Sequence, residues 1–161
     1  MIRFKAIPYP NPVNEKAARV VAAGVALFAA IALLTGWHWL VVLLAIGFWA
    51  RVLGGPRFSP LARLASDVIA PRLGRPRPVP GPPKRFAQAI GAGMTTLGAV
   101  LLLVGAGGAV TAILGVMLLF ATLEAAFGLC VGCIIFNRLI RVGIVPREIC
   151  EECADISRRY A

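Results

Sequence analysis

Four apolar runs, at about 17–36, 39–53, 85–105 and 109–133, occupy most of this 161-residue chain. Three of them reach the ~20 residues that carry an α-helix across the hydrocarbon of a bilayer. The second is shorter and calls for local thinning of the bilayer or an earlier start. Hydrophobic residues make up 59% of the chain, against roughly 45–50% in a soluble domain, and the mean hydropathy is +0.83. The sequence is that of a membrane protein. The net charge of +10 does not point to nucleic acid, because the arginines lie between apolar runs with no interleaved aromatics; lipid headgroups account for them.

The order of signals along the chain gives the architecture. Met1-Ile2-Arg3-Phe4-Lys5 is basic, but Pro8, Pro10 and Pro12 precede any apolar run and no small-residue cleavage site follows, so a removable signal peptide is not expected. Asn14 and Glu15 suit a helix start, which places helix one from Ala17 to Gly36. Trp37 and Trp39 flank His38 in a tight connection and fit the headgroup boundary. From Gly54 to Arg85 the composition turns to proline and arginine. Within that stretch Ser59-Pro60 opens an amphipathic helix at about 60–70, with Leu61, Leu64, Ala65, Val68 and Ile69 on one face and Arg63 and Asp67 on the other. It is expected to lie flat on the membrane or to pack on the protein's own helix ends. Pro71, Pro76, Pro78, Pro80, Pro82 and Pro83 read as an extended spacer, and Gly107-Gly108 as the turn between helices three and four.

The two hairpins resemble one another: Ala18–Gly24 parallels Ala87–Gly93, and Leu33–Gly36 parallels Leu102–Gly105 at the same offset. A duplicated hairpin starting twice from the same side is a parallel repeat. All 17 lysines and arginines fall before Val20, between Arg51 and Arg85, or after Phe136. Positive loops stay inside, so both termini, the middle segment and the tail 134–161 are expected on the cytoplasmic side of the inner membrane. The expected fold is all-α: an integral membrane four-helix bundle of two hairpins with a cytoplasmic amphipathic helix between them.

All four cysteines lie in the last quarter, as Cys130-x-x-Cys133 and Cys150-x-x-Cys153. Three readings stay open. Cys130 and Cys133 are neighbours at i and i+3 and suit thiol–disulfide or sulfur transfer. Alternatively all four form a closed tetrathiolate zinc site, whose C-x₂-C-x₁₅₋₂₀-C-x₂-C spacing they match; zinc is then the cofactor. Or Gly128-x-x-x-Gly132 merely allows close helix packing, with cysteine as a small residue. A redox role requires more, because the C-terminal end of a helix disfavours thiolate. We therefore expect Gly128 and Gly132 to end helix four early and a new helix to run through Phe136–Arg141, starting at the cysteine pair, with Arg138 or Arg141 near the thiols. Glu124 is the only formal charge in the fourth apolar run. On an unbroken helix it points away from both thiols, and an ion pair with Arg51 or Arg85 is expected. With almost no other polar lining in the spans, a carrier or channel is disfavoured. The partners called for are the lipid bilayer and, for the dithiol, a soluble thioredoxin-like or sulfurtransferase protein or a larger membrane complex.

Asn11-Pro12-Val13-Asn14-Glu15, Gly55-Pro56-Arg57-Phe58-Ser59-Pro60, Ala70-Pro71-Arg72-Leu73-Gly74, Pro83-Lys84-Arg85-Phe86-Ala87-Gln88 and the FG-x-C-x-GC run from Phe127 to Cys133 are similar to a bacterial integral-membrane family, domain of unknown function 4395. The resemblance spans essentially the whole chain and implies a four-helix membrane protein without supplying an activity. It also implies an asparagine where this chain has Glu124, and no universal counterpart of Cys150 and Cys153. Both departures weaken a four-cysteine site as the family's common function.

Overall fold

The computed structural model describes residues 9–150 and Cys153. The basic N-terminal segment and the last residues of the tail, with the signal-peptide and terminus expectations placed on them, lie outside the described residues.

Helix α1 (Glu15–Thr35) begins at Asn14, whose Oδ1 accepts the Lys16 amide at 3.1 Å as an N-cap and the Arg77 amide at 3.3 Å. Those bonds flank a two-residue antiparallel pairing of β1 (Val13–Asn14) with β2 (Pro78–Val79). The start of α1 is thereby tied to the approach to the third span. At the far end Gly36 closes the helix at φ 73°, a left-handed conformation that glycine takes without a Cβ penalty. Helix α2 (Leu40–Gly54) returns and continues as a 3₁₀ turn at Gly55–Phe58. Together they make a candidate span of 19 residues, Leu40–Phe58, in place of the 15 apolar residues expected.

Helix α5 (Gly81–Leu103) starts four residues before the expected 85. Pro82 and Pro83 belong to its first turn, not to the spacer, because the amide a proline lacks would be unpaired there anyway. Helix α6 (Gly107–Phe127) likewise absorbs Gly107 and Gly108, and the turn is made by Gly105 at φ 78°. Among the described residues four helices are thus long and apolar enough to cross a membrane, and the fold is an all-α membrane helical bundle. Its core joins Val25 and Ala32 of α1, Val41, Leu44 and Phe48 of α2, Ala92 of α5, and Leu114 and Met117 of α6. The main interfaces are α1 with α6 and α2 with α5. Exchanging α1 for α5 and α2 for α6 maps one of these interfaces onto the other, as a parallel repeat requires.

Between the hairpins, α3 (Pro60–Arg63) is capped by Ser59 and followed by a π-helical stretch at Leu64–Ile69 and by α4 (Ala70–Arg72). The wide turn has a cause in Pro71, whose ring crowds the carbonyl four residues back in an α-helix. Ahead of it the Ala70 amide reaches Ala65 O, one residue further than α geometry allows. The shift sets the buried stripe at Ala62, Ala65 and Ala70 and leaves Leu64 and Val68 exposed. The segment packs on the bundle itself, with Ala62 and Ala65 against Val20 and Val21.

Candidate functional site

The thiols sit where the fourth span stops. Gly128 takes φ 70°, and its amide bonds Glu124 O at 3.0 Å while the Leu129 amide bonds Leu123 O at 3.2 Å. Arg19 of α1 closes the remaining carbonyls, with Nε 3.0 Å from Ala125 O and Nη2 2.7 Å from Ala126 O. Helix α6 therefore ends at Phe127, six residues short of the expected 133. The chain restarts in extended conformation at Cys130, the N-cap of α7 (Val131–Val142). Its sulfur accepts the Cys133 amide at 3.3 Å, the position a serine oxygen occupies in an ordinary cap. Gly132 is part of the new helix and not of the break. A Cβ there would stand 2.5 Å from Ala87 Cβ and 2.6 Å from its Cα, so glycine is what lets α7 lie against α5.

This placement reverses the electrostatics of an unbroken helix. A helix N-terminus favours thiolate. The Cys133 thiol donates to the Cys130 sulfur and holds Cys130 below the ordinary thiol range; burial and the charge of Glu124 oppose it, and Lys84 and the Cys133 amide assist. Cys133 is pushed up by that donation first, then by burial and by the charge of Cys130. Both are free thiols, Cys130 buried and Cys133 half-buried.

Glu124 pairs with Lys84, not with Arg51 or Arg85. Arg51 is held elsewhere, by Gln88 Oε1 at 2.7 Å and Ser59 Oγ at 3.3 Å, and Arg85 by Val52 O at 3.1 Å. Because the helix breaks between them, Glu124 and Cys130 border one small cavity of about 90 Å³, a proximity the unbroken helix would forbid. The cation acting on Cys130 is Lys84, which sequence reasoning missed, not Arg138 or Arg141. Its signal was present: two prolines suit a helix's first turn and place the next residue on the helix. His38 lies at the other end of the bundle, 3.1 Å from Thr111 Oγ1.

Cys150 and Cys153 are joined as a disulfide. Cys150 is buried against Phe136 and Ile140 of α7, with Cys153 packed on the same cluster. The tetrathiolate zinc site does not fit this arrangement, since two of its four sulfurs are bonded to each other, and no group of three metal-ligating side chains gathers among the described residues. On the open side Cys130, Cys133 and Cys153 line one cleft of about 680 Å³, together with Lys84, Arg77 and Arg141. No curated protein and no solved structure matches the chain. Residues 13–141, covering the four spans and almost all of α7 but ending before Cys150, match the family described as Domain of unknown function (DUF4395), and the chain belongs to that family.

Proposed function

We propose that the protein is a membrane-anchored dithiol that carries out thiol–disulfide exchange with a soluble thioredoxin-like protein through Cys130 and Cys133. The observation that carries this reading is the position of the Cys130 sulfur, N-cap of α7, with the amide of Cys133 directed at it. The Cys130 thiolate attacks one sulfur of a partner disulfide, and the other partner sulfur leaves as thiolate and takes a proton. Cys133 then gives up its proton and attacks the Cys130 sulfur, which releases the partner as a dithiol and leaves Cys130 and Cys133 joined. A persulfide-bearing sulfurtransferase would use the same nucleophile with sulfane sulfur as the transferred group.

The basic residues support placing this site at the cytoplasmic face of the inner membrane, because they cluster at the end of the bundle that carries the thiols. A reporter inserted near Gly107 is expected outside and one fused at Ala161 inside; the reverse would put the thiols in an oxidising compartment and remove the reading's setting.

The chemistry is tested on the reduced full-length protein with oxidised glutathione. With the tail cysteines replaced, as Cys150→Ser/Cys153→Ser, adding Cys133→Ser is expected to retain a stable glutathione adduct on Cys130, whereas the protein that keeps Cys133 goes on to a Cys130–Cys133 disulfide; mass spectrometry reads both. Failure of Cys130 to react would refute the proposal.

A further inference from the structure

Both cysteine pairs are arranged about one helix. Cys133, Phe136 and Ile140 stand at i, i+3 and i+7 and so share a face of α7. The Cys150–Cys153 disulfide packs on Phe136 and Ile140, and Phe136 lies only ~4.5 Å along the axis from Cys133. Cys153, half-buried, borders the same cleft as Cys130 and Cys133, while Cys150 is buried behind it against α7. The inner nucleophile is poorly placed for a large partner: Cys130 is 7% exposed, so a disulfide on a folded protein would have to enter the cleft to meet it. The tail disulfide is already there. Its chemical state adds a second argument, resting on the proposed orientation. A passive disulfide facing the cytosol is reduced, and those found there are mostly transient participants in exchange.

We propose that Cys150–Cys153 is the in-chain exchange partner of Cys130 and Cys133, passing two electrons across the cleft between the inner site and soluble protein disulfides. This rests on the dithiol reading above and names its relay. The Cys130 thiolate attacks Cys153, the sulfur that faces the cleft. A Cys130–Cys153 bond forms, the Cys150–Cys153 bond breaks, and Cys150 departs as a thiolate and is protonated. Cys133 loses its proton and attacks Cys130, forming the Cys130–Cys133 disulfide, and Cys153 leaves as a thiolate and takes a proton. One dithiol is oxidised and one disulfide reduced, with no other reagent. The reduced tail then repeats the exchange with the disulfide of a soluble protein, which is the oxidant of the cycle.

Two measurements on the full-length protein in lipid nanodiscs test the relay. In Cys133→Ser/Cys150→Ser only Cys130 and Cys153 remain, and in Cys133→Ser/Cys153→Ser only Cys130 and Cys150. Under mild oxidation by diamide the first is expected to cross-link about tenfold faster than the second, as held sulfurs do at high effective concentration; equal rates, or no bond in either, overturn the proposal. Next, the reduced parent protein and Cys150→Ser/Cys153→Ser are each mixed with an oxidised thioredoxin-like protein and with oxidised glutathione, and disulfide formation at Cys130–Cys133 is followed by mass. The tail variant is expected to lose about tenfold or more in rate with the protein disulfide and nothing with glutathione. Unchanged rates with both overturn the relay and leave the dithiol reading standing. If neither disulfide oxidises Cys130 and Cys133 in the parent protein, both readings fall.

Discussion

The two C-x-x-C pairs have the same spacing and opposite states. Cys130 and Cys133 open a helix that is pinned on both sides: α6 ends against Arg19, and α7 lies on Ala87 through Gly132. Cys150 and Cys153 follow a short 3₁₀ turn at Arg147–Ile149, where the Cys153 amide bonds Cys150 O at 3.1 Å and the two sulfurs are joined. The difference lies in what the backbone offers the first sulfur. At Cys130 it offers a hydrogen-bond donor, which favours the thiolate over the thiol. At Cys150 it offers an apolar bed of Phe136 and Ile140, where a neutral disulfide costs less to bury than a charged thiolate. Spacing alone does not distinguish a dithiol from a disulfide; the environment of the sulfur does.

The sharpest way to break this contrast is to unpair the charges beneath the inner site. Glu124→Gln leaves Lys84 without its carboxylate, and removing one partner of a buried pair costs ~3–5 kcal/mol. Thermal unfolding in detergent should fall accordingly, and Glu124→Gln/Lys84→Met should recover most of the loss. If the single change leaves the melting temperature untouched, the pair is not a structural element of the inner site. Cys150 and Cys153 are expected to stay bonded throughout, since neither Glu124 nor Lys84 belongs to the cluster that holds them.

A smaller change sharpens the contrast by moving both pairs together. Gly132→Ala places a methyl group into Ala87, an overpacking that costs ~1–3 kcal/mol and must push α7 from α5. Alkylation of Cys130 at a fixed pH should slow, and the Cys130–Cys153 cross-link should weaken as the helix shifts. Full retention of both would mean that the contact with Ala87 does not position the site.

Much of this molecule was legible because hydrophobic run length and proline or glycine punctuation act locally. The four spans, the Asn14 cap and the Ser59-Pro60 helix start follow from such signals. The break before Cys130 was legible by a different route, from the requirement that a reactive thiolate avoid a helix C-terminus. What escaped depended on contacts distant in sequence. Lys84 meets Glu124 across 40 residues, and Arg19 reaches Ala125 across 106; neither leaves a periodic trace. The π-helical stretch was hidden because its apolar spacing fits an ordinary helix, and only Pro71 hints otherwise. The state of Cys150 and Cys153 depends on the apolar bed supplied by α7, which the shared spacing conceals.

The last and subtlest prediction concerns protons on the inner pair. Alkylation follows the thiolate fraction, so a thiol whose pKa is lowered keeps reacting as pH falls, and one whose pKa is raised stops reacting first. Cys130 is lowered, chiefly by the donated thiol hydrogen of Cys133, and Cys133 is raised by the same contact. On descending from alkaline pH, labelling at Cys133 should therefore disappear first, that of free glutathione next, and that of Cys130 last. The bonded tail pair takes no label until it is reduced. Charged neighbours shift the Cys130 curve with known signs: Lys84 favours the thiolate and Glu124 opposes it, so Lys84→Met moves the curve to higher pH and Glu124→Gln to lower pH. Cys133→Ala removes the principal donor and should shift it upward more than Lys84→Met, whereas Cys133→Ser retains a hydroxyl in the donor's place and should shift it less. A Cys130 curve coincident with that of glutathione, and indifferent to the residue at 133, would show that the helix start does not activate this sulfur and would erase the electrostatic difference between the two pairs.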